Sequence, residues 1–123
     1  MIEEGKIATL LGKDNVSSDP ALLESYARDI SFANPVRPGL VVKPTSQEQI
    51  QQLVKWANET RTPLVPVSSG APHFRGDTIP GVGGAVVVDL SGMKRILKVD
   101  RPRRVAMVEP GVTFGDLIPE ATK

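Results

Sequence analysis

The sequence has 123 residues, of which 40% are hydrophobic and 24% are charged, a balance that suits one small globular domain and excludes a disordered chain. Its net charge of +1 gives no long-range field that would attract nucleic acid or an anionic membrane. Because there is no cysteine, the composition excludes disulfides, cysteine-ligated zinc, iron–sulfur clusters and a thiol nucleophile.

The chain carries no recognisable targeting pattern. No run of residues approaches the roughly 18 apolar positions that a membrane-spanning helix needs. The N-terminus also lacks the basic and then apolar order of a secretory signal. We therefore expect a cytoplasmic protein without a membrane span.

The first third of the chain is predicted to be helical. A short helix that ends near Gly12 places four apolar residues on one face, namely Ile2, Ile7, Leu10 and Leu11. A second helix begins where Asp19 precedes Pro20, because a capping side chain ahead of a first-turn proline is a helix start. The two prolines of 34–39 exclude a helix there. Residues 1–36 are thus expected to form a helical preamble.

A β-α-β unit follows the preamble. Residues 40–42 and 64–67 are predicted strands, and Thr45 with Glu48 matches a capping box for the helix between them. This helix ends near Thr60, and its predicted apolar face consists of Ile50, Leu53, Val54 and Ala57. The unit implies two strands that are parallel or nearly adjacent.

Three further strands and a helix complete the predicted elements. The continuous apolar run 85–88 is expected to be buried on both faces. Residues 96–99 and 105–108 are predicted to pair as a hairpin. Thr113 is expected to cap a final helix that has barely begun where the sequence ends.

The loop that leaves the second strand is the strongest candidate for ligand binding. Small side chains at 68–71 would expose several backbone N–H groups in a concave turn that can hold an anion. Ser68 and Ser69 add hydroxyl donors, and Gly70 permits a close approach or a positive φ. The alternative is that these small residues only make a tight connection.

Other chemical motifs are excluded or ambiguous. The glycine-rich run 81–84 precedes a strand instead of opening a helix, so it does not match a dinucleotide fingerprint, and no P-loop is present. His73 is the single histidine, which excludes a two-histidine metal site, and a surface position is its simplest interpretation. Asp89 is expected to accept backbone N–H bonds in the turn that follows it, and Trp56 is expected to pack in the core.

Four segments, in order along the chain, resemble landmarks of a known flavoprotein family. They read PGLVVKPTSQEQI (38–50), PVSSG (66–70), VVVDLSGMKRI (86–96) and VEPGV (108–112), and YARD (26–29) is similar to the family's upstream region. The family includes vanillyl-alcohol oxidase, p-cresol dehydrogenase, and glycolate and D-lactate dehydrogenases.

The resemblance implies an α+β fold. N-terminal helices are followed by a small β-α-β-β-β(-α) subdomain, which is half of a PCMH-type FAD-binding domain. Residues 37–123 would be the first subdomain, truncated at its C-terminus, in the branch that is similar to glycolate oxidase and D-lactate dehydrogenase.

The resemblance also implies FAD as the cofactor. Members that attach FAD covalently through this loop have a histidine where this sequence has Ala71, so non-covalent FAD is expected, and half a site is expected to bind it weakly. The implied cofactor-binding residues are Pro66, Val67, Ser68, Ser69, Gly70, Ala71, Pro72, Pro110, Gly111 and Val112. The family's substrate-facing residues lie in later parts, so no catalytic residue is nominated.

Three functions remain open from the sequence. The first is the FAD-binding portion of a flavin-dependent oxidoreductase that acts on a 2-hydroxy acid such as glycolate or lactate, or else on a para-substituted phenol. The second is a stand-alone, non-catalytic interaction module without flavin, which would self-associate or bind a complementing chain. The third is a generic nucleotide-binding module.

Overall fold

The computed structural model describes residues 3–68, 70 and 72–123. The helices are α1 (Glu4–Leu11), α2 (Pro20–Ser25), α3 (Gln47–Thr60) and α4 (Phe114–Ala121), with a short 3-10 turn at Lys13–Asn15. The strands are β1 (Val16–Ser17), β2 (Leu40–Val42), β3 (Leu64–Val67), β4 (Val86–Asp89), β5 (Ile96–Asp100) and β6 (Val105–Val108). This order confirms the predicted α+β fold and adds β1.

Four strands form a mixed sheet in the order β1-β2-β4-β3. The two strands of the predicted β-α-β unit, β2 and β3, are parallel as expected, but β4 lies between them and pairs with both. Val87 of β4 is therefore opposite Val41 on one side and Val65 on the other. Because the three strands are parallel, their C-terminal ends meet at one edge of the sheet.

Both faces of the sheet are covered. On one face α1 and α3 enclose the main core, which consists of Ile7, Leu11, Leu40, Val42, Leu53, Trp56, Ala57, Val86 and Val88. On the other face Leu23 of α2 packs with Val41, Val67 and Val87. All four residues of β4 are buried, which confirms the prediction from its continuous apolar run. Trp56 is buried, as predicted.

The start and the apolar face of α3 differ from the prediction. Ser46 is the N-cap, and its hydroxyl oxygen accepts a hydrogen bond from the Gln49 amide at 3.2 Å. Thr45 instead donates its amide and its hydroxyl to the Gln49 side-chain oxygen. Two overlapping pairs match the capping pattern, so the pattern does not choose between them. Val54 is exposed, because it lies about 100° around the helix from buried Leu53.

The hairpin predicted near the C-terminus is present as a separate two-stranded sheet. β5 and β6 are antiparallel, with Val99 opposite Ala106. Thr113 caps α4 through a capping box with Asp116. The helix extends over eight residues, so it is longer than expected. Within the described part of the chain, no helix is long and apolar enough to cross a membrane.

Candidate functional site

The loop that leaves β3 lines a hollow of about 330 Å³, which we call the first hollow. It begins at the C-terminal edge of the parallel strands, where open α/β sheets commonly bind ligands. Its lining residues are Pro66, Val67, Ser68, Pro72, His73, Phe74, Arg75, Asp77 and Thr78.

A second hollow, of about 350 Å³, lies where β6 leads into α4. Its lining is mostly apolar and consists of Ser68, Val108, Pro110, Val112, Thr113, Phe114 and Leu117. Ser68 lines both hollows. The structure thus brings the two predicted cofactor segments, which are distant in sequence, together around one residue.

Most of the predicted cofactor-binding residues that the structure describes lie at these hollows. The first hollow includes Pro66, Val67, Ser68 and Pro72, and the second includes Pro110 and Val112. Ser69 and Ala71 were predicted as well, but they lie outside the described residues.

Close packing against the backbone explains why residue 111 is glycine. A Cβ at this position would lie 2.6–2.8 Å from the carbonyl oxygens of Ser91, Leu90 and Met93, closer than any side chain can approach. The Gly111 amide also donates to the Met93 carbonyl at 2.8 Å. Gly111 therefore fixes the turn between Pro110 and Val112 against the segment that follows β4.

Gly70 has open space around it. A Cβ at Gly70 would meet no described atom within 4 Å. The described residues thus leave open space at this position, which can receive a ligand that approaches the backbone.

The structure adds residues that the sequence analysis missed. Phe74 and Arg75 line the first hollow, with the guanidinium carbon of Arg75 5.8 Å from the centre of the Phe74 ring. His73, interpreted from sequence as a surface residue, is half-buried in the same lining. A basic residue inside a glycine- and proline-rich loop was the available signal for Arg75.

Asp89 organises the edge of the sheet beside the first hollow. It is opposite Val67 in the sheet register, and its Oδ1 accepts hydrogen bonds from the amide and hydroxyl of Ser91 at 2.9 and 2.6 Å. This confirms its predicted role in the turn. Its Oδ2 accepts the hydroxyl proton of Tyr26. Burial alone would raise the pKa of Asp89, but the hydrogen bonds from Ser91 and Tyr26 outweigh it and lower the pKa.

The lining of the two hollows suits an organic anion. Among residues 3–68, 70 and 72–123, no group of three or more His, Asp or Glu side chains is placed to hold a metal ion. The two hollows instead combine a loop of small residues, one guanidinium and an apolar wall. These features suit a long ligand with an anionic middle and an aromatic end.

Comparison with known proteins identifies close relatives. Residues 38–123 match the family described as FAD binding domain. The chain is 37% identical over 117 residues to the flavoprotein subunit of 4-cresol dehydrogenase (hydroxylating) from Pseudomonas putida, covering 91% of this chain and 22% of that protein. It is 32% identical over 112 residues to D-2-hydroxyglutarate dehydrogenase from Stutzerimonas stutzeri, covering 91% and 24%.

Among solved structures, p-cresol methylhydroxylase with substrate bound superimposes with a TM-score of 0.84 at 34% identity. The match covers 96% of this chain and 23% of that one. The chain thus spans less than a quarter of the length of these relatives.

Proposed function

This chain belongs to the FAD binding domain family, and from that premise we propose that it is the FAD-binding portion of a longer flavin-dependent oxidoreductase. The family makes FAD its cofactor, as the resemblance implied. The activity of the whole protein is a proposal, because the matched relatives are about four times as long. We also propose that residues 37–123 form the first subdomain of the FAD domain and that 1–36 precede it.

The position of Ser68 in both hollows is the observation that carries the proposed site. The backbone N–H groups of 68–71 would hold the cofactor diphosphate, since small residues at a strand end leave such groups accessible to an anion. The open space at Gly70 fits this placement. Pro110 and Val112, together with exposed Phe114, would provide apolar contact along the rest of the cofactor.

The loop sequence supports non-covalent attachment. Ala71 stands where covalently flavinylated members of the family have histidine. His73 lines the first hollow, but it comes two residues later in the chain. When bound, FAD supplies a two-electron acceptor, and this chain supplies position and electrostatics. Denaturation with acid should therefore release the flavin completely into the supernatant.

A 2-hydroxy acid is our proposed substrate class. Oxidation of such a substrate to the 2-oxo acid removes two electrons and two protons, and FAD held at the loop 68–71 would accept both in its two-electron reduced form. The similarity to D-2-hydroxyglutarate dehydrogenase supports this class. A para-substituted phenol is the second candidate, supported by the likeness to 4-cresol dehydrogenase and to p-cresol methylhydroxylase.

A non-catalytic interaction module is the alternative from a different class. Several large apolar side chains are exposed on the C-terminal hairpin and α4, namely Val105, Met107, Phe114 and Ile118. An exposed apolar surface of this kind favours association with another chain. Self-association of the folded chain without saturable flavin binding would select this alternative.

Substitution of Gly70 tests the proposed site. Gly70→Ala adds a methyl group where no described atom lies within 4 Å, so the melting temperature should not change. If the cofactor backbone packs there, affinity for FAD should fall by about tenfold or more, and Gly70→Val should weaken it further. FAD fluorescence titration and thermal unfolding of the 123-residue chain measure both effects.

Gly81→Ala is the matched control, because Gly81 also has open space at its Cβ but lies outside both linings among the described residues. It should change neither the melting temperature nor the FAD affinity. Equal FAD affinity in the wild type and in Gly70→Val would contradict the proposed site.

A further inference from the structure

Residues 29–33 are hydrogen-bonded to the loop segment 73–76, although Asp29 and Gly76 lie 47 positions apart in the sequence. The Asp29 Oδ2 accepts a hydrogen bond from the Gly76 amide at 2.8 Å. The Ile30 amide donates to the carbonyl oxygen of His73 at 3.1 Å. Both ends of 73–76 are therefore held by neighbouring residues of one short segment.

The same segment packs tightly against Gly76. Gly76 has a φ of +76°, and a Cβ there would lie 3.0 Å from the Ala33 Cβ and 3.2 Å from the Ser31 Oγ. Ser31 is itself fixed, because its amide donates to the Asp29 Oδ1 at 2.8 Å and its hydroxyl accepts from the Ala33 amide at 3.1 Å. The conformation of Gly76 and its contact with 29–33 thus depend on each other.

Phe74 and Arg75, which line the first hollow, lie between these two attachment points. The described residues from 68 to 85 contain no helix or strand, so no regular backbone pattern fixes this segment. Its geometry instead depends on contacts with other parts of the chain. Hydrogen bonds at both ends of a four-residue segment greatly restrict where its two central side chains can point.

We propose that Asp29 is a positioning residue of the cofactor site, which acts by holding 73–76 so that Phe74 and Arg75 face the first hollow. This inference rests on the proposed function, because the first hollow is taken as the place where the cofactor diphosphate binds. Asp29 touches no ligand in this role and acts only through the loop segment that it holds.

A carboxylate suits this role better than any neutral side chain. Its two oxygens accept two amide protons at once, one from Ser31 and one from Gly76. The hydrogen bonds from Ser31 and Gly76 lower the pKa of Asp29, so the group is ionised at neutral pH and its hydrogen bonds are charge-assisted. Asparagine offers one acceptor oxygen, so it can satisfy one of the two amides.

The test compares Asp29→Asn and Asp29→Ala with Asp19→Asn in the 123-residue chain. Asp19 is the matched control, because it also accepts a backbone amide proton, from Leu22 at 3.2 Å, but it caps α2 instead of holding the loop. Hydrogen–deuterium exchange of the segment 72–79, measured without FAD, reports directly on the hydrogen bonds between 29–33 and 73–76. FAD titration measures how the loss of these hydrogen bonds changes the affinity of the site.

We expect faster exchange over 72–79 in both Asp29 variants and FAD affinity lower by about threefold to tenfold, the equivalent of one lost hydrogen bond. Asp19→Asn should leave exchange over 72–79 and FAD affinity unchanged. If Asp29→Ala fails to fold, Asp29→Asn carries the test, because it retains one acceptor oxygen.

Unchanged exchange over 72–79 in Asp29→Asn would overturn the proposal. A second outcome would also overturn the proposal, namely faster exchange with unchanged FAD affinity in the Asp29 variants while Gly70→Val weakens FAD binding. The cofactor site would then exist without needing the hydrogen bonds between 29–33 and 73–76. Failure of the proposed function looks different, since Gly70→Val would then leave FAD affinity unchanged. That result would leave Asp29 without a role at a cofactor site, while the exchange rates would still show whether Asp29 holds the segment 73–76.

Discussion

The carboxylate of Glu109 accepts three hydrogen bonds from a single residue, Arg95. Its Oε1 accepts from the Arg95 amide at 2.8 Å and from Nε at 3.1 Å, and its Oε2 accepts from Nη2 at 3.1 Å. The Glu109 amide donates in return to the Arg95 carbonyl at 2.9 Å. The pair closes the base of the hairpin, and Glu109 lies between Val108 and Pro110, which line the second hollow.

Replacing Glu109 with glutamine should lower the melting temperature. The side-chain amide retains one acceptor oxygen and turns an NH₂ group toward the donors of Arg95, so at least one hydrogen bond is lost at a buried position. Fluorescence of Trp56, the single tryptophan, measures unfolding. Glu120→Gln, which breaks an exposed pair with Lys123, should have little effect. Equal melting temperatures for the two variants would contradict the role of Glu109.

The effect of Glu109→Gln should depend on pH. Hydrogen bonds from Arg95 lower the pKa of Glu109 below its ordinary value of 4.5. A lowered pKa in the folded state means that the ionised group stabilises the fold above the unfolded pKa and loses this contribution as the pH falls through the folded pKa. The difference in melting temperature between wild type and variant should therefore be constant near neutral pH and shrink below about pH 4.5.

Gly111→Ala should destabilise the chain by about 1–3 kcal/mol or more, because the new Cβ would collide with three backbone carbonyl oxygens that cannot rotate away. Gly115→Ala is the control of opposite sign. Its Cβ would lie 3.6 Å from the Thr113 Oγ1, an ordinary contact, and alanine in α4 should stabilise by about 0.5–1 kcal/mol. Urea unfolding measures both changes. A harmless Gly111→Ala would mean that this turn is not packed as described.

Strongly patterned elements of this fold could be predicted from the sequence. The apolar run of β4 predicted a strand buried on both faces, and the hairpin followed from two β-prone runs around a polar turn. β1 could not be found, because Val16 and Ser17 are too few for any periodicity and become a strand only by pairing with β2. The position of β4 between β2 and β3 is likewise set by packing of the whole sheet.

The site could likewise be predicted only in part, because some of its features follow from the local sequence and others from long-range contacts. The family resemblance picked out Ser68 and the Pro110 turn, and the structure places them at adjoining hollows. The hydrogen bond between Asp29 and Gly76 could not be predicted, because a contact between residues 47 positions apart leaves no periodic pattern in the sequence. Arg75 was missed for a related reason, since its side chain could be assigned to the first hollow only once the loop was placed.

Tyr26 should resist ionisation in the folded chain. Burial, together with its hydrogen bond to Asp89 and the negative charge there, raises its pKa well above the ordinary value of 10.0. Tyr26 is the single tyrosine, so absorbance at the tyrosinate band reports it alone. We expect no signal near pH 10 in the folded chain and a normal titration in urea. Asp89→Asn should bring the folded titration back toward the ordinary range.

The same shift predicts how stability changes in alkali. A raised folded pKa means that the contribution of Tyr26 is fully present below the unfolded pKa of 10.0 and is lost as the pH rises through the folded pKa. The free energy of unfolding should thus decline above pH 10, and Tyr26→Phe should remove this part of the decline. A folded-state titration of Tyr26 near pH 10 would contradict its hydrogen bond to Asp89.

Arg75→Gln should weaken FAD binding by about threefold to tenfold at low salt, because a guanidinium in the lining of the first hollow attracts the cofactor diphosphate. The affinities of wild type and variant should converge as salt rises, since the Debye length falls from about 10 Å at 0.1 M to about 3 Å at 1 M. Arg37→Gln removes the same charge from an exposed position outside the first hollow and should change affinity little. An equal loss of FAD affinity in both variants would assign the effect to net charge. An unchanged FAD affinity of Arg75→Gln at low salt would show that Arg75 does not interact with the diphosphate.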